Sequence, residues 1–341
     1  MSWRLVLGGV AAAVAAGGGC KGKVEREPDE QVRPRVEAEA PAPTVDAAPR
    51  CVGARTCVGN DLVACVGGEL GAVDRTCRDG CAAGACLDTC AAQGVELIYG
   101  VDERQRLHSF NPRAVPGEEF REVGQVACAG GEWPFSMAVD RRGVAWVLYD
   151  GGSLHRVSIV DGRCLGSVAT LPGVPRRFGM GFVSDGPGAE TERLYASGHD
   201  EPRELGWMDT NVVPLRWQRL GAQPRGAARN AELTGTGDGK VYAYTPGAVG
   251  AGRVQQIDRD TGALVGRPLV VDRTSENELV RSWAVAHWGG SFYVFVTLGS
   301  DSRVYEVDGK SGRSRLVRSE LPMRIVGAGV STCAPLLEQV P

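Results

Sequence analysis

RLHSFNP (Arg106–Pro112), SLHRVSIVDG (Ser153–Gly162), ELGWMDT (Glu204–Thr210), RVQQIDRDTG (Arg253–Gly262) and RVYEVDGKSG (Arg303–Gly312) are five versions of one phrase. Their first apolar residues, Leu107, Leu154, Leu205, Val254 and Val304, lie 47, 51, 49 and 50 residues apart. A strand of alternating polarity closed by an Asp- or Asn-rich turn, recurring about every 49 residues, is the pattern of a β-propeller blade. The expected fold is all-β, a five-bladed propeller with each copy as the third strand of a four-stranded blade.

Upstream of each copy sits a stretch rich in aromatic and β-branched residues: Leu97–Val101, Val144–Tyr149, Leu194–Ser197, Val241–Tyr244 and Phe292–Thr297. These suit half-buried second strands. Before four of them come small-residue stretches, Ser136–Val139, Gly179–Val183, Glu232–Thr236 and Ser282–Ala286, narrow enough to converge on an axis. Copy one has no such stretch, because Leu97 follows directly on a run of cysteines. The missing piece stands after the fifth copy, as Ile325–Val330. The expectation is that this last strand completes the first blade, closes the ring and covers two sheet edges.

A 43% hydrophobic and 23% charged composition is ordinary for a folded chain of 341 residues with a real core. A net charge of −3 gives no electrostatic ground for a nucleic-acid partner. The N-terminal residues read as an export signal over 1–19, with Arg4 before the apolar stretch Leu5–Ala16, too short to span a bilayer. Gly17-Gly18-Gly19-Cys20 resembles a bacterial lipobox, which makes Cys20 the expected lipidation site and the membrane a partner through that anchor. Ordinary cleavage near Ala16 is the alternative, and parity speaks against it, since eleven Cys less Cys20 leaves an even ten. Residues 20–50, rich in Glu, Arg, Pro and Ala, read as an extended tether.

Cys51, Cys57, Cys65, Cys77, Cys81, Cys86 and Cys90 crowd one short stretch, read as a disulfide module over 51–91 ahead of a propeller over 92–341. Zinc is the alternative for Cys77-x3-Cys81 and Cys86-x3-Cys90, but the spacing is unusual and no His lies in the segment. Cys333 ends the returning strand and Cys90 precedes the second strand of the same blade, so the layout pairs Cys90 with Cys333. Closing so long a loop contributes about 4–5 kcal/mol in the chain-entropy model. Cys128 and Cys164 then pair by elimination. The connectivity of Cys51 to Cys86 stays open.

The spacing C-x5-C-x7-C-x11-C-x3-C-x4-C from Cys51 to Cys86 resembles a Cys-rich module that follows the tether in certain Gram-negative lipoproteins. LIYGVD (Leu97–Asp102), PFSMAVDRRGVAWVLY (Pro134–Tyr149), FGMGFVSD (Phe178–Asp185), AELTGTGDGKVY (Ala231–Tyr242) and IVGAGVSTCAP (Ile325–Pro335) are similar to phrases of the same family. The resemblance spans about residues 51–335. It implies an outer-envelope lipoprotein with a propeller-like domain, and it implies no particular activity.

Chemistry is sparse. Five-bladed glycosidases resemble one another in presenting a pair of carboxylates at the inner strands, and hydrolysis needs both. Here the inner strands offer Glu232, with Asp140 at a strand end, which is no dyad. His108 and His155 occupy one repeat position and read as structural repeats at a blade surface, and His199 and His287 have no companions at ligand spacing. Asp258–Gly262 is a hairpin turn rather than a calcium loop. Neither a cofactor motif nor a metal site is expected.

One constellation stands out. Arg177, Arg229, Arg281 and Arg324 each precede an inner strand, and Trp133 flanks Pro134 in the remaining loop. Converging guanidiniums beside aromatics suit a carboxylate, phosphate or acidic glycan. The plainer alternative pairs them with Asp185, Glu232, Glu276 and Glu278. The sequence therefore points to a non-enzymatic, lipid-anchored envelope protein that binds protein or glycan partners. The alternatives are a lectin-like carbohydrate binder using Trp133, Trp207 or Trp288, and a glycan-cleaving hydrolase.

Overall fold

The computed structural model describes residues 51–341 apart from 52, 60, 78–80, 83, 87–89, 201–202, 223–229, 248–250, 272–278 and 338–341. The signal segment 1–19, Cys20 and the tether therefore lie outside the described residues. Arg50–Pro341 forms one compact unit.

Its first part holds a three-stranded antiparallel sheet, β1 (Arg55–Val58), β2 (Asp61–Val66) and β3 (Glu69–Thr76), and a two-stranded ribbon, β4 (Cys81–Ala82) and β5 (Ala85–Cys86). Little apolar matter is buried here: Leu62, Val63 and the cysteines Cys51 and Cys77. Crosslinks make up for it. Cys51 is bonded to Cys65 and Cys57 to Cys81, with Cα atoms 5.6 and 5.4 Å apart. Cys77 is also in a disulfide, so the zinc alternative loses the thiolates of Cys77 and Cys81.

Then come β6 (Ile98–Asp102), β7 (Arg106–Phe110) and β8 (Phe120–Gln125), followed by β9 (Pro134–Val139), β10 (Val144–Tyr149), β11 (Leu154–Ser158) and β12 (Cys164–Val168). The next sheet is β13 (Phe178–Ser184), β14 (Glu192–Gly198), β15 (Glu204–Met208) and β16 (Gln218–Ala222). After it stand β17 (Glu232–Gly235), β18 (Val241–Thr245), β19 (Gly252–Ile257) and β20 (Leu264–Val271). The last run is β21 (Val280–Trp288), β22 (Ser291–Leu298), β23 (Asp301–Asp308), β24 (Ser314–Arg318) and β25 (Ile325–Val330). Four sheets are local antiparallel meanders in chain order, and the remaining one is ordered β25-β6-β7-β8. The repeated phrase forms β7, β11, β15, β19 and β23, the third strand of each sheet.

Turn chemistry explains why these hairpins recur. Asp102, fully buried after β6, accepts the backbone N–H groups of Arg104 and Arg106 and also bonds His108. Asp140 plays the same part after β9, accepting from Arg142 and Val144 and from the Trp146 indole. In the phrase itself, Asp258 accepts from the N–H groups of Asp260 and Thr261. A short carboxylate satisfying N–H groups two to four residues on is what makes Asp a turn residue.

Among the described residues, the core consists of five apolar clusters, each shared by two sheets. Tyr99 and Val101 pack with Met137 and Val147, Trp146 and Leu148 with Met180 and Phe182, and Val183 and Tyr195 with Leu233 and Ala243. Tyr244 and Val254 pack with Val294 and Tyr305, and Phe295 with Phe110 and Ile98. The circuit returns to its starting sheet. The inner strands follow it: β9 packs on β13, β13 on β17, β17 on β21, β21 on β25, and β25 on β9. This is a propeller-type, all-β arrangement.

Small residues are obligatory at the axis because backbones meet there. A Cβ on Gly327 would stand 2.8 Å from the Met137 backbone nitrogen, and one on Gly329 would stand 2.7 Å from Ala138 Cα. Gly181 is held equally close to Thr234 of β17. β25 pairs with β6 in antiparallel register, Gly329 opposite Tyr99 and Val330 opposite Ile98. The closing segment is joined to the module by the Cys90–Cys333 disulfide, Cα atoms 5.5 Å apart.

Gly329→Val should therefore lower stability by about 2 kcal/mol or more, since inserted methyl groups in a packed site cost about 1–3 kcal/mol. Thermal unfolding by circular dichroism measures it. An unchanged melting temperature would mean that β25 does not lie against β9.

Candidate functional site

The inner strands run in one direction, as the contacts Gly179 to Ala231, Gly181 to Leu233 and Gly235 to Phe182 show. Their N-terminal ends therefore share one mouth. A cavity of about 160 Å³ opens there, lined by Phe135 of β9, His199 after β14, Asn230 and Glu232 at the start of β17, and Arg281 and Trp283 of β21.

Glu232 lies at its base, only 3% exposed. It accepts a 2.8 Å hydrogen bond from Ser136 Oγ across the axis. Burial holds its carboxyl well above the ordinary carboxylate range, against the smaller opposing pull of Ser136 and the Met180 N–H. The protonated form of Glu232 is thereby favoured, and in that form it can donate as well as accept. His199, buried beside it, has its pKa pushed down to about 4 by burial and bonds the Ala231 carbonyl through Nε2. Its imidazole is neutral. Phe135 meets the His199 ring edge-on, centroids 5.0 Å apart. The Trp283 indole donates to the Asn230 carbonyl at 2.9 Å.

The four arginines are not used alike. Arg177 is in an ion pair with Asp200 and sits 5.8 Å over the Phe135 ring. Arg324 is paired with Glu103 at 2.6 Å. Arg281 lines the cavity, exposed, and forms no ion pair among the described residues. Arg229 lies outside the described residues. Asp185, a candidate partner for these arginines, instead serves Arg193 and Arg259. Trp133 is 60% exposed just before the mouth and does not line the cavity. Trp207 lies under Arg193, 4.4 Å from ring centroid to guanidinium, and Trp288 is buried with its indole bonded to the Glu96 carbonyl.

Among the described residues, no second carboxylate joins Glu232 at the cavity lining. Asp140 stands four residues beyond Ser136 along β9, about 13 Å at the strand rise of ~3.3 Å per residue. That exceeds the roughly 5–9.5 Å separating glycosidase carboxyl pairs. Asp140 is moreover committed to its turn. Glu192, also buried, accepts from the Arg141 N–H and from Thr332 Oγ1 of the closing segment. Burial, and after it the nearby Asp140, pushes its pKa up to about 7.

Cys128 and Cys164 are joined by a disulfide, Cα atoms 5.4 Å apart. His155 lies within 4.8 Å of both sulfurs, but the bonded sulfurs leave the imidazole as the sole ligand of that cluster. His108 is buried against Asp102 rather than displayed on a blade surface. The reason is that Asp102 needs a donor inside its turn. His287 is stacked on Tyr242, rings 7° from parallel.

The sequence offers His199 no companion at ligand spacing and does not single out Asn230 or Trp283. Each stands at the mouth end of a strand, and that position was the one available signal.

No family model and no curated protein matches the chain. Among solved structures it is similar to a chain of a nidogen/laminin complex, at 12% identity and TM-score 0.42, over 68% of this chain and 97% of that one. A thermostable family-43 glycoside hydrolase is similar at 12% identity and TM-score 0.40, over 55% and 73%. A putative TolB from Agrobacterium tumefaciens is similar at 11% identity and TM-score 0.39, over 70% and 94%. Likenesses this distant do not bear on what the mouth does.

Glu192 carries a pH signature. Its folded pKa of about 7 stands above the ordinary 4.5. Its contribution to stability is fully present below pH ~4.5 and is lost as pH rises through ~7. A shift of that size corresponds to about 3 kcal/mol at most. Glu232 adds a slope of the same sign. Denaturant titrations from pH 4.5 to 8 should show wild-type stability declining, and Glu192→Gln, which mimics the protonated acid, declining less. An identical slope in both proteins would refute the assignment.

Proposed function

We propose that the chain is a lipid-anchored envelope protein whose five four-stranded sheets form a five-bladed propeller following a disulfide module. It acts as a binding protein for protein or glycan partners. Its ligand site is the axial mouth. The observation that carries this reading is the cavity itself. Buried polar groups, Glu232 and His199, stand beside the aromatic side chains Phe135 and Trp283. Concave sites with apolar walls and a few convergent polar groups are where ligands bind. Hydrolysis is the weaker reading, because among the described residues the lining offers one carboxyl group.

The envelope location is supported by the disulfides, which persist in oxidising compartments, and by the lipobox-like Gly17–Cys20. No helix among the described residues is long and apolar enough to cross a membrane; Cys20 is the proposed point of attachment. Cys20→Ser should move the protein from the membrane fraction to the soluble fraction. Unchanged fractionation would overturn the anchor.

The binding reading is tested by probing a glycan array with the full exported chain. Wild type should bind a defined subset, and Phe135→Ala should lose at least tenfold in signal at unchanged melting temperature. Binding unaffected by Phe135→Ala would move the site away from the mouth, and a silent array would remove glycans as the partner class.

A further inference from the structure

We propose that the axial mouth takes the terminal residue of an acidic glycan, a hexuronic acid, with its carboxylate on Arg281 and its hydroxyls on the buried polar floor. This deepens the binding reading above and rests on it.

Size is the first argument. At about 160 Å³ the cavity is roughly half the smallest ordinary ligand pocket, for which about 300 Å³ is typical. It admits one ring or end group and leaves the rest of a chain outside. Charge is the second. Arg281 is the lining cation, and it has no anionic partner among the described residues, whereas Arg177 and Arg324 are neutralised by Asp200 and Glu103. Burial of Glu232 disfavours its charged form, which lessens the repulsion that an entering carboxylate meets from the floor.

The third argument concerns unmet hydrogen bonding. Among the described residues, Asn230 Oδ1 is buried without a partner, and a buried acceptor left alone is costly enough that native structures rarely keep one. Asn230 also holds a left-handed backbone, φ 66°, a conformation that non-glycine residues adopt at a cost. The Trp283 indole bond to its carbonyl keeps it in place. An orphan acceptor at one residue of the cavity wall suits a donor, and a sugar hydroxyl supplies one. Sugar hydroxyls also match the Glu232 carboxyl and the Nδ1 acceptor that a neutral His199 keeps while its Nε2–H faces the Ala231 carbonyl. Phe135 and Trp283 offer apolar faces to the C–H side of a ring. A peptide C-terminus has the carboxylate but lacks the set of hydroxyls, so the floor favours the sugar.

The experiment is calorimetric titration of the full chain with D-galacturonic acid, D-glucuronic acid, their methyl esters, D-galactose and a dipeptide with a free carboxyl end. At least one uronic acid should bind, with its methyl ester and galactose at least tenfold weaker, as expected for loss of a charge-assisted contact. Arg281→Ala should bind acid and ester alike, and Arg324→Ala should keep the preference. Rising salt should shrink the preference in wild type.

Acid and ester binding equally, an undiminished preference in Arg281→Ala, tighter binding of the dipeptide, or no binding of either acid each overturns the proposal. Should galactose bind as well as the acids and Phe135→Ala abolish both, the mouth remains the ligand site and only the acidic specificity fails.

Discussion

The pairing of β25 with β6 is the contact on which everything else depends. It joins residues more than two hundred positions apart, and it turns a row of locally folded sheets into a circuit. Without it β6 and β9 would each lack an inner neighbour, and two strand edges would face solvent. The pairing is also demanding. Backbone must approach backbone closely enough that Gly327 and Gly329 leave no room for a side chain. Two further links hold the same place. The Cys90–Cys333 disulfide ties the closing segment to the chain before β6. Glu192 ties Thr332 to the third sheet, while Arg141, whose backbone N–H it accepts, donates to the Ala189 carbonyl and contacts the Cys90 sulfur. Closure is therefore fastened by a ladder, a crosslink and a polar knot, each from different residues.

Closure also makes the mouth. Phe135, His199, Asn230, Glu232 and Arg281 come from four sheets and meet because the inner strands converge. The hydrogen bond from Ser136 to Glu232 spans the axis between strands that are not hydrogen-bonded neighbours. Such a bond exists only when the circuit is shut. Stability and site are in this sense one property: the narrow side chains that permit convergence also leave the space in which a ligand end group sits.

Much of the architecture was legible in the sequence, for local reasons. The five phrases mark the third strands because each ends in a turn closed by an Asp, Asn or Ser side chain, as Asn111 does for Arg113, Asp258 for Asp260 and Thr261, and Asp308 for Ser311. The inner strands were legible because close approach demands Gly and Ala in a row, as in Phe178–Phe182 and Ile325–Val330. The strand missing from copy one pointed to the chain's other end. The site was less legible. Arginine positions along the chain say nothing of which carboxylate is near, so Arg177 and Arg324 looked like Arg281 until Asp200 and Glu103 were seen beside them. His108 looked like a surface repeat, because its partner Asp102 is buried within a turn. His199, Asn230 and Trp283 have no motif at all. Their common property is a place at the mouth, which exists only in three dimensions.

The most direct test of closure is amide hydrogen exchange on Ala328→Pro, which removes one N–H from β25 opposite Gly100. The account predicts that amides of Ile98–Asp102 lose protection together with Ile325–Val330, and that Pro134–Val139 follows, while β14 and β15 stay protected. Full protection of Ile98–Asp102 in that variant would contradict it, for β6 would then be held by something other than the returning strand.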